Sequence, residues 1–216
     1  MFGSLGFPFL ILVVVLVSYL LGALPLAHRV SLRRGVDIFS TGTGLAGSSN
    51  VRRSVGKMPA FLVVLGDMAK GALAVAIAQI VGIDGVWLLL PAFAAISGHW
   101  KSVFTGWRGG DGLATLGGVM VALFPVYGSV AVTIGGLVAL GGQRLPYTSL
   151  FGIVFAYGTL AALSISTGEE IAITLGLGGI SALVLSRAIF GHRRRRTNDF
   201  DDSWDAEIID EEATVE

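Results

Sequence analysis

Long apolar runs dominate this chain and restrict what it can fold into. Seven of them carry almost no charge, at roughly 7–27, 58–81, 85–99, 113–124, 126–142, 147–165 and 170–190. A helix that crosses the hydrocarbon core of a bilayer needs about 20 such residues. Irregular backbone in lipid would leave N–H and C=O groups unpaired, so helices are the expected form. The mean hydropathy of +0.77 and a charged fraction of 14% exclude an ordinary soluble domain. The first run is too long for a signal-peptide core and no basic residue precedes it, so it reads as a first span. The fourth and fifth runs are short and meet at Pro125, which leaves two short spans or one span plus a re-entrant piece. The expectation is an all-α polytopic membrane protein of about seven transmembrane helices over residues 1–196, then an acidic, solvated tail over 197–216.

Charge decides the orientation. Arg29, Arg33, Arg34, Arg52, Arg53 and Lys57 follow the first run, Lys101 and Arg108 the third, Arg144 the fifth, and Arg193 to Arg196 the last. The second connection carries only Asp84, and the sixth carries Glu169 and Glu170. Seven spans put every basic connection on one side, as the positive-inside rule requires, with the N-terminus outside and the C-terminus in the cytoplasm. Six spans would separate the two richest basic clusters. Glycine is frequent within the runs, as in "GLGGISALVLS" from Gly176, which suits close helix packing in lipid. No internal repeat is evident, which weakens a transporter built from inverted halves.

The polar features gather at the ends of the runs, on the side assigned to the cytoplasm. "TGTGLAGSSNVRRSVGK" over 41–57 combines glycines, short hydroxyl and amide side chains, and three cations. That mixture suits a phosphate cradle, or a flexible linker with a basic patch facing anionic lipid. Asp67 and Lys70 lie three residues apart on one helix face and can pair. An ionisable residue in a span is costly unless satisfied, so the pair is either structural or part of a site. "SGHWKSVFTGWRGGDGLAT" over 97–115 holds His99, Arg108, Gly109, Gly110 and Gly112, with Asp111 among the glycines. His99 is either an acid–base group or a hydrogen-bonding anchor. The fifth residue after it is Phe104, so a His-x4-Asp acyltransferase signature is missing. Tyr147 and Ser149 in "RLPYTSL" and His192 in "FGHRRRR" are the last candidates. The chain has no cysteine and three histidines. That leaves no thiolate nucleophile and no basis for a Cys or His-rich metal site.

In order and spacing these pieces resemble the PlsY-type acyl-phosphate-dependent glycerol-3-phosphate acyltransferases of bacteria. The family's G-S-G-N-x-G-A-T-N, followed by an arginine, corresponds to "GTGLAGSSN" (42–50) and Arg53; its D-x-x-K-G corresponds to "DMAKG" (67–71). Its G-H and K-G-G-K-G-x-A-T correspond to "GH" (98–99) and "RGGDGLAT" (108–115), and its Y-x-S-L to "YTSL" (147–150). A histidine follows the final span, as His192 does here. The resemblance covers roughly residues 8–195.

The resemblance implies transfer of a fatty acyl group from acyl phosphate to the 1-hydroxyl of glycerol 3-phosphate, giving lysophosphatidic acid and phosphate. It implies no metal, cofactor or nucleic-acid partner, and a site at the cytoplasmic face of a bacterial cell membrane. Thr43, Gly44, Gly47, Ser49 and Asn50 would cradle the acyl phosphate. Arg53, Arg108, Ser149 and His192 would bind glycerol 3-phosphate, with Gly109, Gly110 and Gly112 forming the second loop. Ser49, Asn50, Arg53 and His192 are the implied catalytic set. Asp67 and Lys70 would support the site, and His99 would anchor the second loop. Three positions depart from the pattern: Leu45 replaces an asparagine, Asp111 a lysine and Arg195 an asparagine. At about 4 Å, a carboxylate facing a phosphate costs on the order of 4 kcal/mol at an effective dielectric of 20. Asp111 therefore has to point into solvent or pair with Arg108 or a neighbouring basic residue, or Arg195 or Lys101 replaces the lost cation, or else the acceptor has changed. A divergent paralogue with altered or lost activity is the alternative reading, and a small transporter a more distant one.

Overall fold

The computed structural model describes residues 6–141, 148–168 and 170–189. These residues form α1 (Gly6–Ala23), α2 (Leu26–Leu32), α3 (Ser48–Ser54), α4 (Lys57–Ile80), α5 (Leu89–Trp100), α6 (Leu113–Leu123), α7 (Pro125–Gly141) and α8 (Thr148–Thr167), and α9 (Ile171–Ile189). No β-sheet occurs among the described residues, and the helical fold class stands.

Each of the seven apolar runs holds a helix, but they are not equal in length. Among the described residues four helical stretches are long and apolar enough to cross a membrane: Gly6–Leu32, Lys57–Ile80, Leu150–Thr167 and Ile171–Ile189. Gly85–Trp100, Leu113–Leu123 and Pro125–Gly141 are shorter. The 11 residues of α6 rise about 16 Å, half of a hydrocarbon core of about 30 Å. Prolines set two of the boundaries. Pro25 has no N–H to continue the ladder, and α1 gives way to α2 there. Pro125 opens α7, where its missing N–H costs nothing. The first basic connection is more ordered than a plain loop, because α2 and α3 both lie within it.

α1 packs on α5, α4 on α6, and α7 on α8. Small residues let the backbones meet. A Cβ at Gly98 of α5 would fall onto the Tyr19 carbonyl of α1. In lipid this close approach replaces the hydrophobic drive that water would supply. The main core runs through Val75, Ile96, Leu116, Met120, Leu160 and Leu177. A second, smaller core of Ile38, Val51 and Val63 lies beneath the first glycine loop. Phe9, Ile80, Leu137 and Leu175 point outward and stay exposed, as side chains facing lipid would. Packing and outward apolar faces together leave the polar loops at the helix ends to carry chemistry.

Candidate functional site

The first glycine loop is organised by one side chain. Asn50 is the third residue of α3 and is completely buried. Its Nδ2 lies 3.1 Å from Ile38 O, 2.9 Å from Thr41 O and 3.1 Å from Leu45 O, donating to these carbonyls. Its Oδ1 accepts from Thr43 N at 3.4 Å and Ser54 Oγ at 3.3 Å. A short amide with donors and acceptors on one carbon can close a loop this way, where a carboxylate or hydroxyl could not. Asn50 therefore holds the cradle from within.

The second glycine loop docks onto the first. Ala46 N donates to Gly109 O at 3.2 Å, and Gly110 N to His99 O at 3.1 Å. Gly110 is pressed so close to His99 that a Cβ would collide with the ring Nε2. Asp111 does not lie loose among the glycines. Its Oδ1 accepts from Leu113 N at 3.3 Å, which caps the start of α6, and its carbonyl accepts from Trp100 Nε1 at 2.8 Å. A carboxylate at a helix N-terminus is favourable. Arg187, from α9, completes this corner. Its Nε donates to Gly110 O at 3.3 Å, its Nη2 to Trp100 O at 3.1 Å, and its guanidinium sits 5.4 Å from the Trp100 ring centre. Asp111 and Arg187 also attract each other electrostatically. The Asp111 carboxylate is thus engaged by a helix end, with Arg187 as a cation in its vicinity.

Under both loops lies a buried charge cluster. Lys70 Nζ is 2.8 Å from Asp67 Oδ1, 2.8 Å from His99 Nδ1 and 3.3 Å from Leu24 O. Asp67 Oδ1 is 3.7 Å from His99 Nδ1. All three ammonium protons have acceptors, which is what makes a buried lysine tolerable. The cluster ties α4 and α5 to the break between α1 and α2. It also forms the floor of a cleft. Leu24, Pro25, Leu26 and Phe39 make the apolar part of its lining, and Ala46, Gly109 and Gly110 line it as well. Arg108 stands exposed at the rim, 4.5 Å over the Phe39 ring.

The structure thus brings Gly109, Gly110, Arg108, Asp67, Lys70 and His99 to one cleft. Thr43, Gly44 and Gly47 lie in the adjoining first loop, and Gly47 faces Asp111. Gly112 caps α6 with φ +91, a left-handed geometry that favours glycine. Ser49 and Arg53 are exposed on α3. Ser149 lies in the first turn of α8. His192 and Arg195 lie outside the described residues. The sequence reading missed Arg187 and Trp100. Arg187 is a lone cation inside an apolar run, and that signal alone marks it. Trp100 had no comparable signal, because a tryptophan at a helix end is ordinary at an interface.

The sequence matches the family model described as "Glycerol-3-phosphate acyltransferase" over residues 12–197. The chain belongs to the glycerol-3-phosphate acyltransferase family. It is 38% identical over 196 residues to "Glycerol-3-phosphate acyltransferase 3" of Dehalococcoides mccartyi (strain CBDB1), covering 82% of this chain and 89% of that one. It is 46% identical over 117 residues to "Glycerol-3-phosphate acyltransferase 1" of Deinococcus radiodurans, covering 54% of this chain but only 59% of that relative. Among solved structures, it resembles the crystal structure of PlsY (YgiH), an integral membrane glycerol 3-phosphate acyltransferase, in its glycerol 3-phosphate form. The TM-score is 0.70 at 29% identity, over 89% of this chain and 92% of that one. The lysophosphatidic acid form of that protein gives a TM-score of 0.72. With its membrane-length helices, the chain is a member of a bacterial family of integral membrane enzymes.

Proposed function

We propose that this protein transfers a fatty acyl group from acyl phosphate to the 1-hydroxyl of glycerol 3-phosphate. The hydroxyl oxygen forms a bond to the carbonyl carbon, the bond from that carbon to the phosphate oxygen breaks, and the hydroxyl proton leaves with the phosphate. Lysophosphatidic acid and inorganic phosphate result. The observation that carries this reading is the backbone bond from Ala46 N to Gly109 O, which joins two glycine loops around one cleft. Each loop offers bare backbone to a phosphate, and both substrates contain one. The apolar wall of Leu24, Pro25 and Leu26 suits the acyl chain. Exposed Arg53 and Arg108 suit the phosphate of the soluble substrate.

Acyl phosphate is already activated, so the protein's task is positioning and stabilisation of charge. No metal or cofactor is required by this chemistry. The site lies on the cytoplasmic face, where both substrates are made available. Asn50 acts here by holding the loop, and the Asp67–Lys70–His99 cluster by fixing the floor.

Purified protein in lipid, given radiolabelled glycerol 3-phosphate and palmitoyl phosphate, should form lysophosphatidic acid. The Asp111→Lys variant is run alongside. Product from the wild type supports the reading. Product from the variant alone would show a scaffold retuned at Asp111 and would turn the search to other acceptors.

A further inference from the structure

His99 is the one ring on the cleft floor, and its neighbours determine which of its nitrogens carries the proton. A lysine ammonium has three donors and no acceptor. Lys70 Nζ lies 2.8 Å from His99 Nδ1 and also 2.8 Å from Asp67 Oδ1, which holds the charge on the lysine. With Lys70 charged, His99 Nδ1 accepts and the ring proton belongs on Nε2. Among the described residues no hydrogen bond engages Nε2. That nitrogen sits against Gly110, where a Cβ would strike it, and His99 lines the cleft together with Ala46, Arg108 and Gly110. A side chain at Gly110 would cover the ring tip. The depth of the groups also differs. Arg108 is exposed, while His99 is 6% exposed in a cleft that Leu24 and Leu26 also line. A charged phosphate belongs at the wet rim, and the acyl carbonyl belongs deeper, beside the apolar wall.

We infer that the His99 Nε2–H donates a hydrogen bond to the acyl carbonyl oxygen as it becomes an oxyanion. Lys70 acts as the positioning residue that fixes the tautomer, and Asp67 holds Lys70. The inference rests on the acyl-transfer reading above. The ring stays neutral and keeps its proton throughout, so no bond to it forms or breaks. A fixed donor aimed at developing charge in a dry site favours the transition state over the ground state. His99 would then be a catalytic residue rather than only an anchor for the second loop.

Two amide substitutions separate the roles. In His99→Gln the amide nitrogen reaches the place of Nε2; in His99→Asn the amide reaches only the place of Nδ1 and still accepts from Lys70. If the tip donor matters, His99→Asn should lose kcat by about 10²–10³-fold, the range for deleting one oxyanion donor, with KM nearly constant. His99→Gln should stay within about tenfold of the wild type. Equal losses in both variants, a smaller loss in Asn than in Gln, or a loss confined to KM would overturn the inference while leaving the acyltransferase reading intact. A wild type without transfer activity would overturn both. Nitrogen NMR of the ¹⁵N-histidine-labelled wild type gives a readout that needs no folded variant. A protonated Nε2 and bare Nδ1 at His99 supports the assignment, and the reverse tautomer sinks it.

Discussion

A single buried amide decides the shape of the first loop. Asn50 shares the two N–H bonds of its Nδ2 among three carbonyls. Replacing it with aspartate keeps the shape and removes every donor. Each buried acceptor left unpaired costs about 1–3 kcal/mol, so Asn50→Asp should destabilise the protein by at least about 3 kcal/mol and nearly abolish transfer. Asn50→Ala should lose activity as well. Thermal unfolding in detergent, followed by the radiolabel assay, measures both effects. Gly110→Ala tests the neighbouring loop: the new Cβ collides with His99 Nε2, and a misplacement of about 1 Å can cost on the order of 10²-fold in rate. A Gly110→Ala protein with wild-type kcat would refute the close approach. Motif spacing made both residues visible in the sequence. It could not show that the Asn50 amide turns toward its own backbone, because a donor for substrate and a donor for a carbonyl are the same residue type.

The elements around the site are joined through few side chains, and Arg187 is the tie between α9 and the second loop. Its two bonds to Gly110 O and Trp100 O hold the loop that carries Arg108. Removing them should free the loop without touching the cleft floor. Arg187→Ala should raise KM for glycerol 3-phosphate by about tenfold, equivalent to about 1.4 kcal/mol, with a smaller change in kcat. Arg187→Lys keeps the charge but not the planar fork, and should recover only part of the loss. Steady-state kinetics over both substrates would show whether the change falls on the soluble one. The Asp67–Lys70 pairing was legible from its three-residue spacing, and the pair forms. The third member was not, because His99 lies 29 positions from Lys70, and only the crossing of α4 and α5 brings them together. Arg187 was legible in principle as a cation in an apolar run, yet its partners, Gly110 in the second loop and Trp100 at the end of α5, lie 77 and 87 positions away.

At the scale of the whole molecule, hydropathy located all seven helical runs, but it could not give their lengths in space. α6 and α7 meet at Phe124, and α6 is capped at its other end by the glycine loop. The charge pattern makes a further claim, that the basic connections and both glycine loops face the cytoplasm while Asp84 faces outward. The chain contains no cysteine, so single cysteines report their location without background. Asp84 lies between α4 and α5, and Arg34 just beyond α2, both away from the cleft. In intact cells a membrane-impermeant maleimide should label Asp84→Cys at once and Arg34→Cys only after permeabilisation. The opposite pattern would put the cleft on the outer face, where the proposed soluble substrate is not supplied. Labelling of both positions in intact cells would break the single crossing, through α4, that the orientation requires between them.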